Sequence, residues 1–352
     1  MAQIVAGFAS SHTPLMSLPG ELWAVQADND YKNRELVQPG TGKHMSYQQL
    51  LAEADPGIAK VVNVETFKRR FEHIQRGLDS LKDAFAQVNP DVVVAFGDDQ
   101  GELFYFDNYP TIHVYWGDQI KMIPRQVPDN ASEARKISSA AYGTEEYDYP
   151  GQPELGLHII ETLMDKEFDV AHSKYQPIEL GGDIGPATWY LDFKTSIPKR
   201  RMGLAHAFAF PICRWFAGKK VPMVPITLNT CYPPNWISPK RAYNLGRAVR
   251  DAILSWKSDA RVAIVTSGGL SHFTVDEELD RHTLKALSEA NGDALCSLPR
   301  HRLQSATTET LNWVAAAGAM AGTPMEVITY EPGYRTPAGT GCGCACGQWM
   351  PN

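Results

Sequence analysis

Apolar and polar positions along this chain follow two periods. Residues 4–9 form a short apolar run of strand character. Over residues 65–87, Phe67, Phe71, Ile74, Leu78, Leu81 and Phe85 recur at three- and four-residue spacings, which predicts an amphipathic helix. Asn89-Pro90 ends it, because the residue before a proline is pushed out of the helical region. The unbroken run Val92-Val93-Val94-Ala95-Phe96 then reads as a strand buried on both faces. Further strands are expected at 202–205, 223–228 and 261–266, and further helices at 157–163, 241–256 and 311–320. Strands alternating with helices predict an α/β fold: a single αβα-layered domain around a central mixed sheet, with the active site at the carboxyl ends of its strands.

Two stretches carry neither period. Residues 18–58 have scattered apolar positions, and 125–153 are rich in Ser, Ala, Tyr, Gly and Pro. Both are too long for plain connections, so each is expected to hold a short helix or a lid over a site. No internal repeat or clean linker divides the chain. One domain over 1–352 is expected, with 18–58 as a lid-like insertion and 337–352 as a Gly/Cys-rich tail.

Composition acts mainly by exclusion. The net charge is −7, from 33 Lys+Arg against 40 Asp+Glu, and the basic residues are not clustered. A nucleic-acid partner is therefore not expected, since neutralising phosphates needs grouped Lys and Arg. No apolar run approaches the roughly 18–20 residues of a membrane span, and the first residues lack a signal-peptide layout. Cys213, Cys231 and Cys296 are scattered, while Cys342, Cys344 and Cys346 alternate with small residues. That is no disulfide framework, and a reduced, cytoplasmic protein is expected. The C-x-C-x-C run lacks a fourth nearby ligand for a metal and reads as a poorly ordered tail.

Candidate chemistry collects where strands end. His12 follows the first strand, and Asp98, Asp99 and Gln100 follow the second. His206 follows 202–205, and His272 closes Ser267-Gly268-Gly269-Leu270-Ser271-His272. Three histidines and a carboxylate cluster at one sheet edge would form a metal or acid–base site. His73, His158, His172, His282 and His301 read as ordinary hydrogen bonders, and His113 as a strand residue pointing inward. The aromatic groups Phe104-Tyr105-Phe106 and Phe208 with Phe210 read as core.

Five short motifs in order carry a resemblance. They are Ser11-His12-Thr13-Pro14, Glu167-Phe168-Asp169, Tyr232-Pro233-Pro234 leading into a helix, Gly268-Gly269-Leu270-Ser271-His272, and Glu309 four residues before Trp313. In this order the chain resembles the class III extradiol ring-cleavage dioxygenases of the protocatechuate 4,5-dioxygenase β-subunit type. The resemblance implies an iron(II) site of two histidines and one glutamate, with positions left open for substrate and oxygen. His12 matches the first histidine ligand and Glu309 the carboxylate. His272 matches the acid–base histidine, and His206 a second active-site histidine near the substrate hydroxyl, with Ser271 beside the substrate.

The chain departs from that pattern at the second histidine ligand, where Gln100 stands after Asp98 and Asp99. Three readings are open. Gln100 or Asp99 supplies oxygen to a harder site that takes iron(II) or manganese(II); His44 in the insertion supplies the imidazole; or tight metal binding is lost. The resemblance implies O2-dependent cleavage of a catechol-like diol: gallate, methoxygallate or protocatechuate-like, or a hydroxypyridone. It also implies a homo-oligomer, with no separate small subunit evident. The rival readings are a metal-dependent hydrolase or lyase on the same scaffold and a non-catalytic binding member.

Overall fold

In the computed structural model, residues 1–104, 108–182, 197–216 and 218–351 are described. Nine strands form the main sheet: β1 (Gln3–Ser10), β2 (Val92–Asp98), β3 (Ile112–Tyr115), β4 (Ala171–Ser173), β5 (Met223–Leu228), β6 (Arg261–Ser267), β7 (His272–Thr274), β8 (Met325–Tyr334) and β9 (Thr340–Trp349). Strands β1, β6, β2 and β5 pair in parallel in that order, so their carboxyl ends share one edge. Antiparallel pairings add β3 to β5 and β9 to β1, which makes the sheet mixed.

Helices cover both faces: α1 (Val64–Val88), α2 (Pro153–Asp165), α3 (His206–Arg214), α4 (Pro239–Ser255), α5 (Glu277–Ser288) and α6 (Thr310–Ala319). Strand side chains alternate between faces, and β2 shows the consequence. Val93 and Ala95 join Phe67, Ile74, Leu78, Leu81 and Phe85 of α1 in one core. Val92, Val94 and Phe96 join α2, α4 and α6 in the other. Every residue of β2 is therefore buried, as the continuous apolar run predicts. The Asn63 side chain caps α1, accepting a hydrogen bond from Thr66 N, and Asn89 ends the helix in the left-handed region at φ 46°. Small residues let α4 meet α6, since a Cβ on Gly246 would lie 1.9 Å from the Ala315 carbonyl oxygen.

Two expectations are corrected. Residues 202–205 are not a strand. Met202 N and Leu204 N bond singly to Ile178 O and Lys121 O, and the helix α3 opens directly at His206. The Gly/Cys-rich run is not a loose tail: β9 is buried along almost its whole length. Its composition suits its place. Cys342, Cys344 and Cys346 project to the α1 side, while the residues between them must be small. A Cβ on Gly343 would lie 2.2 Å from Asp280 Oδ2, and one on Gly347 2.8 Å from Met325 Sδ.

Both long loop-like stretches contain local structure. Residues 18–58 hold the helices Trp23–Asp30, Tyr47–Glu53 and Pro56–Val61. Leu36, Met45, Tyr47 and Leu50 pack with Ala338 and Phe273, next to His272. Residues 125–153 hold the helix Glu133–Ala140 and the strand Tyr147–Pro150. Of the aromatic residues read as core, Phe208 and Phe210 are buried, whereas Tyr105 and Phe106 lie outside the described residues.

Candidate metal centre

The parallel strands deliver their following residues to one crevice, where α/β sheets bind ligands. His12 lies two residues beyond β1, and Asp98 is the last residue of β2. His206 opens α3, which approaches β2 closely because Gly97 has no side chain; a Cβ there would lie 2.9 Å from Ala207 Cβ. Glu309 ends the 3-10 segment Ser305–Glu309 that leads into α6. Donor atoms of His12, Asp98, His206 and Glu309 all lie within 4.8 Å of one another, and all four residues are buried. His12 Nε2 is 3.1 Å from Glu309 Oε2, and His206 Nε2 is 3.9 Å from Asp98 Oδ2.

A surrounding layer of hydrogen bonds aims these groups. The other nitrogen of each imidazole is occupied: His12 Nδ1 by Ser267 Oγ at 2.6 Å, His206 Nδ1 by Glu102 Oε1 at 2.6 Å. Both Nε2 atoms are thus left for the cluster. Glu309 accepts from Gly269 N at 2.6 Å and Gln100 Nε2 at 2.7 Å, and Asp98 accepts from Asn312 Nδ2 at 2.8 Å. The Tyr142 hydroxyl donates to the His12 carbonyl at 2.8 Å. Arg125 lies 4.0 Å above the Tyr142 ring and reaches Glu102 Oε1 at 3.3 Å.

Burial, the largest influence on His12, lowers its pKa to about 4 despite Glu309, so the imidazole is neutral and its Nε2 lone pair is available. Burial pushes the same way on His206, but the charge and hydrogen bond of Glu102 outweigh it and raise this pKa to about 9. Asp98 is pushed up to about 8 by burial and then by the charge of Glu309. Burial opposes ionisation of Glu309, yet the neighbouring histidines and its hydrogen bonds hold it well below the ordinary carboxylate range.

This donor set fits a divalent first-row metal. Two imidazoles and two carboxylates converge, each held by an outer partner in the manner of metal ligands. A divalent cation among the oxygens would also relieve the repulsion between Asp98 and Glu309.

The remaining expected residues divide. His272 starts β7 near the cluster; its backbone N and O both bond Thr307 Oγ1, at 2.9 and 2.7 Å. Gln100 is present at the cluster, but as an amide donor to Glu309 and Asp98. His44 is not brought there: it is exposed and forms an isolated bridge with Val37. Asp99 is turned to its own loop, accepting from the backbone N–H of Gly101, Glu102, Leu103 and Phe104. Ser271, expected beside substrate, commits its N–H and hydroxyl to Asp280 at 2.8 and 2.7 Å. Glu102, Arg125, Tyr142 and Asn312 lie outside the motifs that the sequence offers. Of these only Asn312 leaves a trace there, one helical turn after Glu309.

The fold and site define an α/β protein with a buried histidine–carboxylate centre at the carboxyl edge of its sheet. Residues 56–344 match the family described as catalytic LigB subunit of aromatic ring-opening dioxygenase, and the chain belongs to that family. It is 29% identical over 181 residues to gallate dioxygenase of Pseudomonas putida, covering 51% of this chain and 44% of that protein. It is 25% identical over 208 residues to 2,3-dihydroxyphenylpropionate/2,3-dihydroxicinnamic acid 1,2-dioxygenase of Photorhabdus laumondii, covering 57% and 49%. The chain thus spans about half the length of these relatives. Among solved structures, an uncharacterized protein from Escherichia coli K12 aligns with 77% of this chain and 91% of its own, at 13% identity and a TM-score of 0.41. No helix among the described residues is long and apolar enough to cross a membrane.

Proposed function

We propose that this chain cleaves the ring of a catechol-like, acidic aromatic diol with O2, outside the two hydroxyls, using iron(II). The observation that carries the reading is the convergence of His12, His206, Glu309 and Asp98 in a member of a ring-opening dioxygenase family. His12, His206 and Glu309 would hold the iron, with Asp98 as a further oxygen donor. Bound there, iron(II) would supply open coordination positions for a diol and O2 and a route for electron transfer between them.

The protein's own groups do the rest. The Glu102 carboxylate fixes the His206 ring with Nε2 inward. The buried His272 imidazole would take a hydroxyl proton of the diol and return it later. Burial lowers its pKa, Cys342 and Glu309 outweigh that and raise it to about 10, and the charge of iron(II) beside it would oppose the rise. Arg125 supports an acidic substrate. Its side chain is 35% exposed and, among the described residues, makes one hydrogen bond, leaving further N–H groups to meet a ring carboxylate. Gallate, named for one relative, carries its carboxylate on the ring, and the dihydroxyphenylpropionate named for the other carries one on its side chain. The insertion 18–58, packed on Phe273, shields the His272 side of the site from water.

The test is anaerobic purification, iron(II) loading and metal analysis, followed by O2 uptake over a panel of acidic and neutral diols. Diol-dependent uptake that requires iron is the expected result. A chain that holds no iron and consumes no O2 with any diol overturns the reading; hydrolysis or lysis with another metal would redirect it.

A further inference from the structure

The three terminal cysteines have no part in the reading above, and β9 shows what one of them does. Strand β8 pairs along β9 from Met325 to Tyr334, so β1 and β7 lie end to end on the other edge of β9. Ser10 is opposite Cys346, and His272 is directly opposite Cys342. Directly opposed residues in antiparallel strands have Cβ atoms about 4.5–5.5 Å apart. The Cys342 thiol and the His272 imidazole therefore lie side by side, each acting on the other's charge, and both residues are buried. The ring is confined on other sides as well: Nδ1 lies 3.1 Å from the Leu270 carbonyl oxygen, and Cε1 fills the space where a Cβ of Gly269 would stand.

The other two thiols are placed differently. Cys344 lies 3.9 Å from Thr13 Oγ1, and Cys346 packs beside Gly77 of α1. Burial raises the pKa of both, as for inert core cysteines. Cys342 departs downward: burial would raise its pKa, but His272 and Arg335 outweigh it. Arg335 is itself fixed by a two-point bond to Asp30 of the insertion, at 2.9 and 2.7 Å.

We propose that Cys342 is a positioning residue for His272, its thiol holding the imidazole in one orientation beside the metal centre. The catalytic consequence rests on the dioxygenase reading; the pairing itself does not. The experiment therefore has two arms, both on the full chain, with Cys342→Ala, Cys342→Ser and Cys346→Ala. In the iron-free protein, the imidazole 15N signals of His272 move in Cys342→Ala, return towards wild type in Cys342→Ser, and stay in place in Cys346→Ala. In the iron-loaded protein, Cys342→Ala lowers kcat by about 10- to 100-fold, the size expected for a displaced catalytic group, with KM nearly unchanged. Cys342→Ser recovers most of that loss. Cys346→Ala melts at a lower temperature but keeps its kcat. Wild-type His272 signals in Cys342→Ala would overturn the proposal. So would a serine variant as impaired as the alanine one, or an equal kcat loss in Cys346→Ala. Absence of turnover by the wild type with every diol would sink the dioxygenase reading alone, because the 15N signals still decide the pairing.

Discussion

His12 Nε2 stands 3.1 Å from Glu309 Oε2, joining the loop after β1 to the turn before α6. Glu309 is held by Gly269 N–H and Gln100, and His12 by Ser267, so the pair is preorganised from both sides. If the pair holds iron, removing a ligand must cost more than removing a supporting bond. Glu309→Ala is expected to lose iron by more than the roughly 10- to 100-fold typical of an outer partner, and Ser267→Ala to fall within that range. Metal titration with a competing chelator measures both. Equal iron affinity in Glu309→Ala would remove it from the ligand set.

Glu102 holds His206 at 2.6 Å and is itself kept ionised by the charges of His206 and Arg125 against the effect of burial. Glu102→Gln keeps the shape but removes the charge that raises His206. The His206 pKa, read by NMR in the iron-free chain, should fall from about 9 towards or below its ordinary value of 6.5. An unchanged His206 titration would mean that another group controls it.

Arg125→Gln tests the acidic-substrate assignment. The wild type should favour carboxylated over neutral diols in kcat/KM, and the variant should lose about tenfold of that ratio, equivalent to about 1.4 kcal/mol. The ratio is the measurement, because the substitution also disturbs Glu102. A ratio identical in wild type and variant places the substrate carboxylate elsewhere.

Asp280 anchors Ser271, the residue before His272, and burial raises its pKa from 3.8 to about 7. The folded chain therefore retains a proton that the unfolded chain releases near pH 4. This contribution to stability is complete below about pH 4 and is lost as pH rises through 7. Asp280→Asn imitates the protonated form and removes the dependence. The melting temperature of the variant relative to wild type should rise between pH 4 and 7 and level off above. Parallel melting curves across that range would refute the assignment.

Much of the scaffold is legible in contiguous residues. The helix α1 follows from the spacing of Phe67, Ile74, Leu78, Leu81 and Phe85, and β2 from an unbroken apolar run. Both patterns are local, and each needs only an apolar surface to pack on. The motifs around His12, His272 and Glu309 likewise mark residues that the fold brings to one neighbourhood, and the family match agrees with the resemblance they carry.

What failed depended on partners far away in the chain. His44, in the insertion, was a reasonable source of a second imidazole, yet the donor in the cluster is His206, carried there by a helix that Gly97 admits against β2. The bond from the Ser271 hydroxyl to Asp280 likewise exists only because α5 packs there.

The sequence by itself determined the alternation of strands and helices, the helix end at Asn89, and the acid and imidazole groups available at the strand ends, because those depend on neighbours a few residues apart. Only the tertiary structure decided which of those groups meet. It also turned the glycine- and cysteine-rich run into a buried strand. Cys342 and its neighbours alternate with period two in either state, but Asp280 and Met325 leave room only for small residues on one face, while His272 stands beside a thiol on the adjoining strand. Such contacts are set by where strands and helices pack, which no stretch of contiguous residues encodes.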